Sequence, residues 1–183
     1  MKVLIVTNGT FHNHLKESQD LPAYHIYWGR HYQQILKCVD FLKGKSYNVD
    51  YYILSMSHGL VDYREKIHQE KYDWRSWGKK KLEEFGRERQ YSKYFYELIK
   101  NYQVVYLLLS KDFLYLLNLK GFNYVFNESI KLIFILGSGS YNLVPDYENI
   151  EKIIAGPTEA AKYKINMLEL KSYLLGSIIK ELV

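Results

Sequence analysis

Residues 51–60 read YYILSMSHGL, and the reading of this stretch decides the fold. The apolar run Tyr52-Ile53-Leu54 stops abruptly at Ser55-Met56-Ser57-His58-Gly59, and no run of helical spacing crosses the break. Val49 to Leu54 therefore reads as a strand whose exit carries hydroxyls, an imidazole and a glycine. The same punctuation recurs along the chain. Val3–Val6 ends in Thr7-Asn8-Gly9-Thr10, Val104–Leu109 in Ser110-Lys111-Asp112, Leu132–Leu136 in Gly137-Ser138-Gly139-Ser140, and Lys152–Ala155 in Gly156-Pro157-Thr158. Continuous apolar runs of this length suit strands covered on both faces.

Between the strands lie stretches of helical periodicity. Tyr24 to Leu42 repeats apolar residues near helical spacing and Gly44 ends it; Trp74 to Asn101 predicts one amphipathic helix, or two broken at Gly78 and Gly86. A short helix is expected over Lys111–Leu119, and a last one over about Glu159–Leu182 with Thr158 as its N-cap. Residues 8–23 read as a loop. Alternating strands and helices predict an α/β fold: residues 1–183 as a single domain with a mainly parallel, Rossmann-like sheet of about five strands and helices on both faces. In such sheets ligands sit beyond the carboxyl ends of the strands, so the five polar exits are expected to meet at one rim and wall a cleft.

Composition narrows the classes. No apolar run of the 183 residues is long enough to span a bilayer, and the first residues read as a strand rather than a leader, so no membrane association is expected. One cysteine, Cys38, excludes an internal disulfide, suits a reducing, cytoplasmic setting, and falls in an apolar helical pattern that points to packing. The net charge of +5 is a mild bias towards phosphate-bearing partners. Lys, Glu, Ile and Tyr are abundant beside few Cys and Met, a weak pointer to a thermophilic source.

Several groups carry chemistry in this frame. His58, beside Ser55 and Ser57, is the leading candidate for proton transfer or hydrogen bonding near neutral pH. Gly137 and Ser138 offer backbone amides and a hydroxyl to an anion; Thr158 does the same at a helix start, although a plain cap explains it as well. His12-Asn13-His14 alternates as a metal pair would, yet no zinc-type spacing accompanies it, and neither metal nor other cofactor is expected. Arg75, Lys79, Lys80, Lys81, Arg87, Arg89 and Lys93 interleave with Trp74, Trp77, Phe85, Tyr91 and Tyr94, as stacking on a nucleic acid would require; Glu83, Glu84 and Glu88 dilute the run towards a solvated helix face.

The block Ile53-Leu54-Ser55-Met56-Ser57-His58-Gly59-Leu60-Val61, followed by Ile67 and Tyr72-Asp73, resembles the strand–LSxxGL–Y signature of the YaaA-like peroxide-stress proteins and a related family of small uncharacterised domains. Ala23-Tyr24…Tyr27-Trp28-Gly29-Arg30 is similar to their upstream element. Lys71 stands where that pattern has proline, and Thr7-Asn8-Gly9 replaces the lysine-rich motif of the peroxide-stress branch, so the likeness is to the small branch. It implies an association with nucleic acid. Physically, the shared residues make sense as a pocket in which Gly59 turns the chain, Ser55 and Ser57 present hydroxyls to a ligand and Tyr72 stacks on a planar ring.

These residues lead to an expected nucleotide, nucleobase or nucleic-acid binder, with Asn8, Tyr27 and Arg30 among its contacts. If it acts on a base or its glycosidic bond, His58 would move the proton and Asp73 would face the oxocarbenium-like centre. The alternatives are a non-catalytic cyclic-nucleotide sensor domain of a defence system, and an interaction protein whose exposed tyrosines form a surface without a small-molecule site.

Overall fold

A computed structural model of the chain, describing residues 1–10, 20–121 and 129–181, gives a six-stranded sheet. Its strands are β1 (Lys2–Asn8), β3 (Asn48–Ser55), β4 (Gly59–Asp62), β6 (Val104–Leu108), β7 (Lys131–Leu136) and β8 (Ile150–Ile154), in the order β4-β3-β1-β6-β7-β8. Every neighbouring pair is parallel except β3 with β4. A separate two-residue ladder joins β2 (Leu21–Pro22) to β5 (Lys66–Ile67). The fold is thus α/β with a mostly parallel sheet, as the sequence predicts, with one strand more than the expected five.

Alternation along the central strands assigns the two faces. Val3 and Ile5 of β1, Tyr51 and Ile53 of β3 and Ile133 and Ile135 of β7 pack under α2 (Arg30–Gly44) and α7 (Met167–Glu181). Leu4, Val6, Leu107, Leu132 and Phe134 point the other way, under α3 (Lys79–Glu88), α4 (Tyr91–Ile99) and α5 (Lys111–Leu117). These inward residues are almost all below 2% exposed, which is what a doubly covered sheet demands of its central strands. Helices α2 and α7 run side by side in the same direction: Arg30 meets Glu169, Gln34 meets Ser172 and Cys38 touches Gly176.

Three helix boundaries differ from the sequence expectation. The segment from Tyr24 is not one helix; α1 (Ala23–Ile26) ends where Tyr27 leaves helical dihedrals (φ −96°, ψ 66°), and α2 starts afresh at Arg30. The break in the charged stretch falls at Gln90, in the left-handed region, rather than at Gly86. Gly86 lies inside α3 because that helix crosses α5 there; a Cβ would stand 1.9 Å from the Leu116 carbonyl oxygen. The last expected helix is two, α6 (Pro157–Tyr163) and α7, separated at the left-handed Lys164, and Gly156 rather than Thr158 caps the first.

Ser55 pairs with Gly59 across a three-residue turn, so the polar strand exit is the tip of a hairpin to the edge strand β4. Gly59 has φ +77°, and a Cβ there would lie 3.4 Å from the Tyr91 ring. Gly59→Ala is expected to destabilise the chain by about 1–2 kcal/mol, read by urea denaturation, since an L-residue pays for the left-handed conformation. A change under about 0.3 kcal/mol would mean the turn relaxes freely.

The order of connections matters for ligands. From β1 the chain crosses through α2 to β3 on one side, and later returns through α3 and α4 to β6 on the other. The carboxyl ends of β1 and β6 therefore flank the point where the strand order reverses. Among the described residues no helix is long and apolar enough to cross a membrane, and no three His, Cys, Asp or Glu side chains converge to hold a metal. His12 and His14 lie outside the described residues.

Candidate functional site

The exit of β3 is organised by a residue that nothing in the sequence marks. Glu70, nine-tenths buried, places its carboxylate under the 56–58 turn. Its Oε1 accepts from the Tyr27 hydroxyl (2.6 Å), the Ser55 hydroxyl (2.7 Å) and the Met56 amide (3.0 Å), and its Oε2 accepts from the Ser57 amide (2.8 Å). A buried carboxylate with four donors, and no cation among the described residues, is a scaffold element: it supplies acceptors to a turn that has left the sheet ladder. Burial, and then the neighbouring Glu70, drive the Tyr27 phenol far above its ordinary range, so it stays a donor.

The hydroxyls at this exit are therefore engaged by the turn itself. Ser55 Oγ, besides donating to Glu70, accepts from the amides of Ser57 (3.2 Å) and His58 (3.0 Å); Ser57 Oγ accepts from the Lys71 amide at 2.7 Å. Tyr91 closes the turn from the far side by donating to the Met56 carbonyl at 2.7 Å.

His58 is half-buried, with Nε2 at 2.9 Å from the His68 carbonyl oxygen. A carbonyl only accepts, so Nε2 carries the hydrogen; in the neutral ring Nδ1 is then the acceptor. Beside it, His58, Gly59 and Leu60 share a hollow of about 390 Å³ with Tyr52, Tyr91, Tyr94 and Leu98, on the α4 face of the hairpin. Tyr94, at its rim, is 59% exposed. Tyr72 stands outside this hollow, packed on Phe85 and Trp77, with its hydroxyl accepting from Arg89 at 2.9 Å. Asp73 is exposed and bound by the guanidinium of Arg75 at 2.6 and 2.7 Å, which holds its carboxyl below the usual range.

The centre of the edge is tied by Asn8. Its Oδ1 accepts from the Ser110 amide at 2.7 Å, joining the exits of β1 and β6, and its carbonyl accepts from the Tyr32 hydroxyl at 2.8 Å. Arg30 is exposed and pairs with Glu169 at 3.5 Å. One residue further, the half-buried His31 keeps its Nδ1 out of solvent, and the half-buried Lys171 of α7 donates from Nζ to the Leu109 carbonyl at 2.5 Å.

Gly137, Ser138 and Thr158 lie at the other end. After β7 the chain enters a 3-10 turn over Ser138–Leu143; Ser138 and Thr158 are both exposed, and the Glu159 carboxylate accepts from the Gly156 amide at 3.0 Å. With strands about 4.8 Å apart, β7 and β8 stand roughly 14–19 Å from β3. The polar exits do share one edge, and among the described residues they stand along it as separate groups. Matched against protein-family models, curated proteins and solved structures, the chain finds no counterpart in any of the three.

Proposed function

We propose that the protein binds the planar ring of a nucleobase or nucleotide in the hollow between the β3–β4 hairpin and α4. The observation that carries this reading is the wall itself: three tyrosines and two leucines around an imidazole whose Nε2 is tied to the His68 carbonyl, leaving Nδ1 as an acceptor in the neutral ring. Aromatic and aliphatic walls with one or two fixed polar groups are the usual make-up of a small-molecule site. Tyrosine faces stack on any base, and an acceptor at His58 suits an exocyclic amino group or ring N–H. The rigid backing comes from Glu70, which fixes the turn that presents His58.

Binding alone is what this geometry supports best. Asp73 is held by Arg75 and Tyr72 by Arg89, so both serve the reading as parts of the neighbouring loop. Titration of the full chain with adenosine, guanosine, cytidine and uridine monophosphates and the free bases is expected to quench tyrosine emission, with Tyr94→Ala weakening the best ligand by about 5–100-fold, the range of one lost stacking contact. His58→Ala is expected to weaken ligands bearing an amino group more than those lacking one. Absence of any saturable response up to millimolar ligand would end the proposal.

A further inference from the structure

The β1/β6 exit carries two basic groups that the described residues leave incompletely partnered. Lys171 Nζ has three N–H donors, and Leu109 O is the one acceptor that the described residues give it; no carboxylate among them lies within ion-pairing reach. His31 Nδ1, on the first turn of α2, is a buried ring nitrogen without a hydrogen-bond partner among the described residues. The two are close enough for the ammonium to disfavour charge on the imidazole. Buried polar atoms are nearly always satisfied, so an unpartnered His31 Nδ1 beside an ammonium that meets one acceptor, where the strand order reverses, calls for an explanation. Packing alone gives none, because a leucine or methionine would cover the same surface without desolvating a charge.

We propose that this exit is a subsite for a small oxyanion, a phosphate or carboxylate group, received between the Lys171 ammonium and a ring N–H of His31. The anion's oxygens accept the open lysine hydrogens and the Nδ1–H, converting two unmet donors into charge-assisted bonds. Asn8 and Tyr32 keep the exits of β1 and β6 in register beneath it, through Ser110 and the Asn8 carbonyl. The site lies on the α2/α7 face, opposite the tyrosine-walled hollow, and does not depend on ring binding.

Protonation couples to this site. Burial lowers Lys171 to about 8, and burial with the nearby ammonium lowers His31 to about 4. On α2, the Tyr32 ring stands 5.3 Å from that of His31, and Arg30 is paired with Glu169 of α7; Tyr106 of β6 feels the charge of Glu151; the β7 strand presents Ile133 and Ile135 to this face. A bound anion favours the charged lysine, so binding takes up about half a proton at pH 8 and weakens as the pH rises beyond it.

Sulfate, which keeps its charge over this range, and acetate are titrated calorimetrically into the full chain at constant ionic strength, against chloride, in two buffers of different ionisation enthalpy. Saturable binding with proton uptake, at least tenfold weaker at pH 9.5 than at pH 7 and lost by tenfold or more in Lys171→Met, bears the proposal out. Sulfate alone points to a phosphate ester, acetate alone to a carboxylate. His31→Leu is the second variant, expected to weaken the same anion without abolishing the pH dependence, and it decides the matter if Lys171→Met does not fold. No response beyond chloride for either anion, or equal affinity in wild type and both variants, overturns it.

Discussion

Glu70→Ala is expected to cost about 4–6 kcal/mol of stability and to lower the unfolding temperature by roughly 8–24 °C. Four donors converge on this carboxylate, and alanine leaves the Tyr27 and Ser55 hydroxyls and the Met56 and Ser57 amides facing a void. A buried donor without an acceptor costs about 1–3 kcal/mol, and the total falls short of a simple sum because the turn relaxes. Glu70→Gln is the sharper test. The amide keeps the shape and one oxygen but turns a donor towards either the Ser57 amide or the group of three, for an expected loss of about 1–3 kcal/mol. Denaturation in urea reads the global effect, and amide exchange at Met56 and Ser57 reads the local one. If Glu70→Gln stayed within about 0.5 kcal/mol of wild type with both amides still protected, the carboxylate would not be the fastening of this turn.

The contrast between this residue and its surroundings shows what a linear reading catches. Val3–Val6 and Leu132–Leu136 announce themselves because a strand covered on both faces needs an unbroken apolar run, and few other structures do. Gly59-Leu60-Val61-Asp62 does not, since an edge strand of four residues opening on glycine has the composition of a loop; its pairing with β3 is a tertiary fact. His58 was findable as an imidazole at a strand exit. Glu70, in His68-Gln69-Glu70-Lys71, has the look of a solvated stretch, and only the folded chain reveals that the β2–β5 ladder carries it under the turn. Lys171 is hidden for the same reason: a lysine in an amphipathic helix normally marks the wet face, whereas here its Nζ reaches in to the Leu109 carbonyl at the end of β6. The sequence also suggested that all polar exits share one cleft, which ignores strand order; β7 and β8 follow β6 outward while β3 lies on the other side of β1.

The buried bases at the β1/β6 exit should give the unliganded chain an unusual pH profile, with stability rising in two separate legs. The folded-state value of His31 is about 4 against an ordinary 6.5, so between those limits the unfolded chain binds more protons and stability climbs with pH. Lys171 repeats the pattern higher, about 8 folded against 10.5 unfolded, and its full penalty is present below pH 8 and is relieved as the pH rises towards 10. Each separation is worth about 3 kcal/mol. Above pH 10 the trend reverses, because burial raises the phenols of Tyr27, Tyr32 and Tyr51 and the unfolded chain then releases protons that the folded one keeps. Maximum stability is thus expected near pH 9–10, well above the usual range of pH 5–8. Urea denaturation in chloride buffers from pH 4 to 10 measures the profile. Lys171→Met should flatten the upper leg and be about 1–2 kcal/mol more stable than wild type at pH 7, the Leu109 carbonyl losing its donor in exchange for a desolvated charge removed. His31→Leu should flatten the lower leg alone. A wild-type curve level between pH 8 and 10, or a Lys171→Met chain less stable than wild type at pH 7, would show that these groups are already satisfied. A protein that keeps two buried bases at such expense, where hydrophobic residues would be more stable, is expected to recover the difference when an anion binds; adding sulfate should therefore shrink the upper leg in the wild type and leave the Lys171→Met profile unmoved.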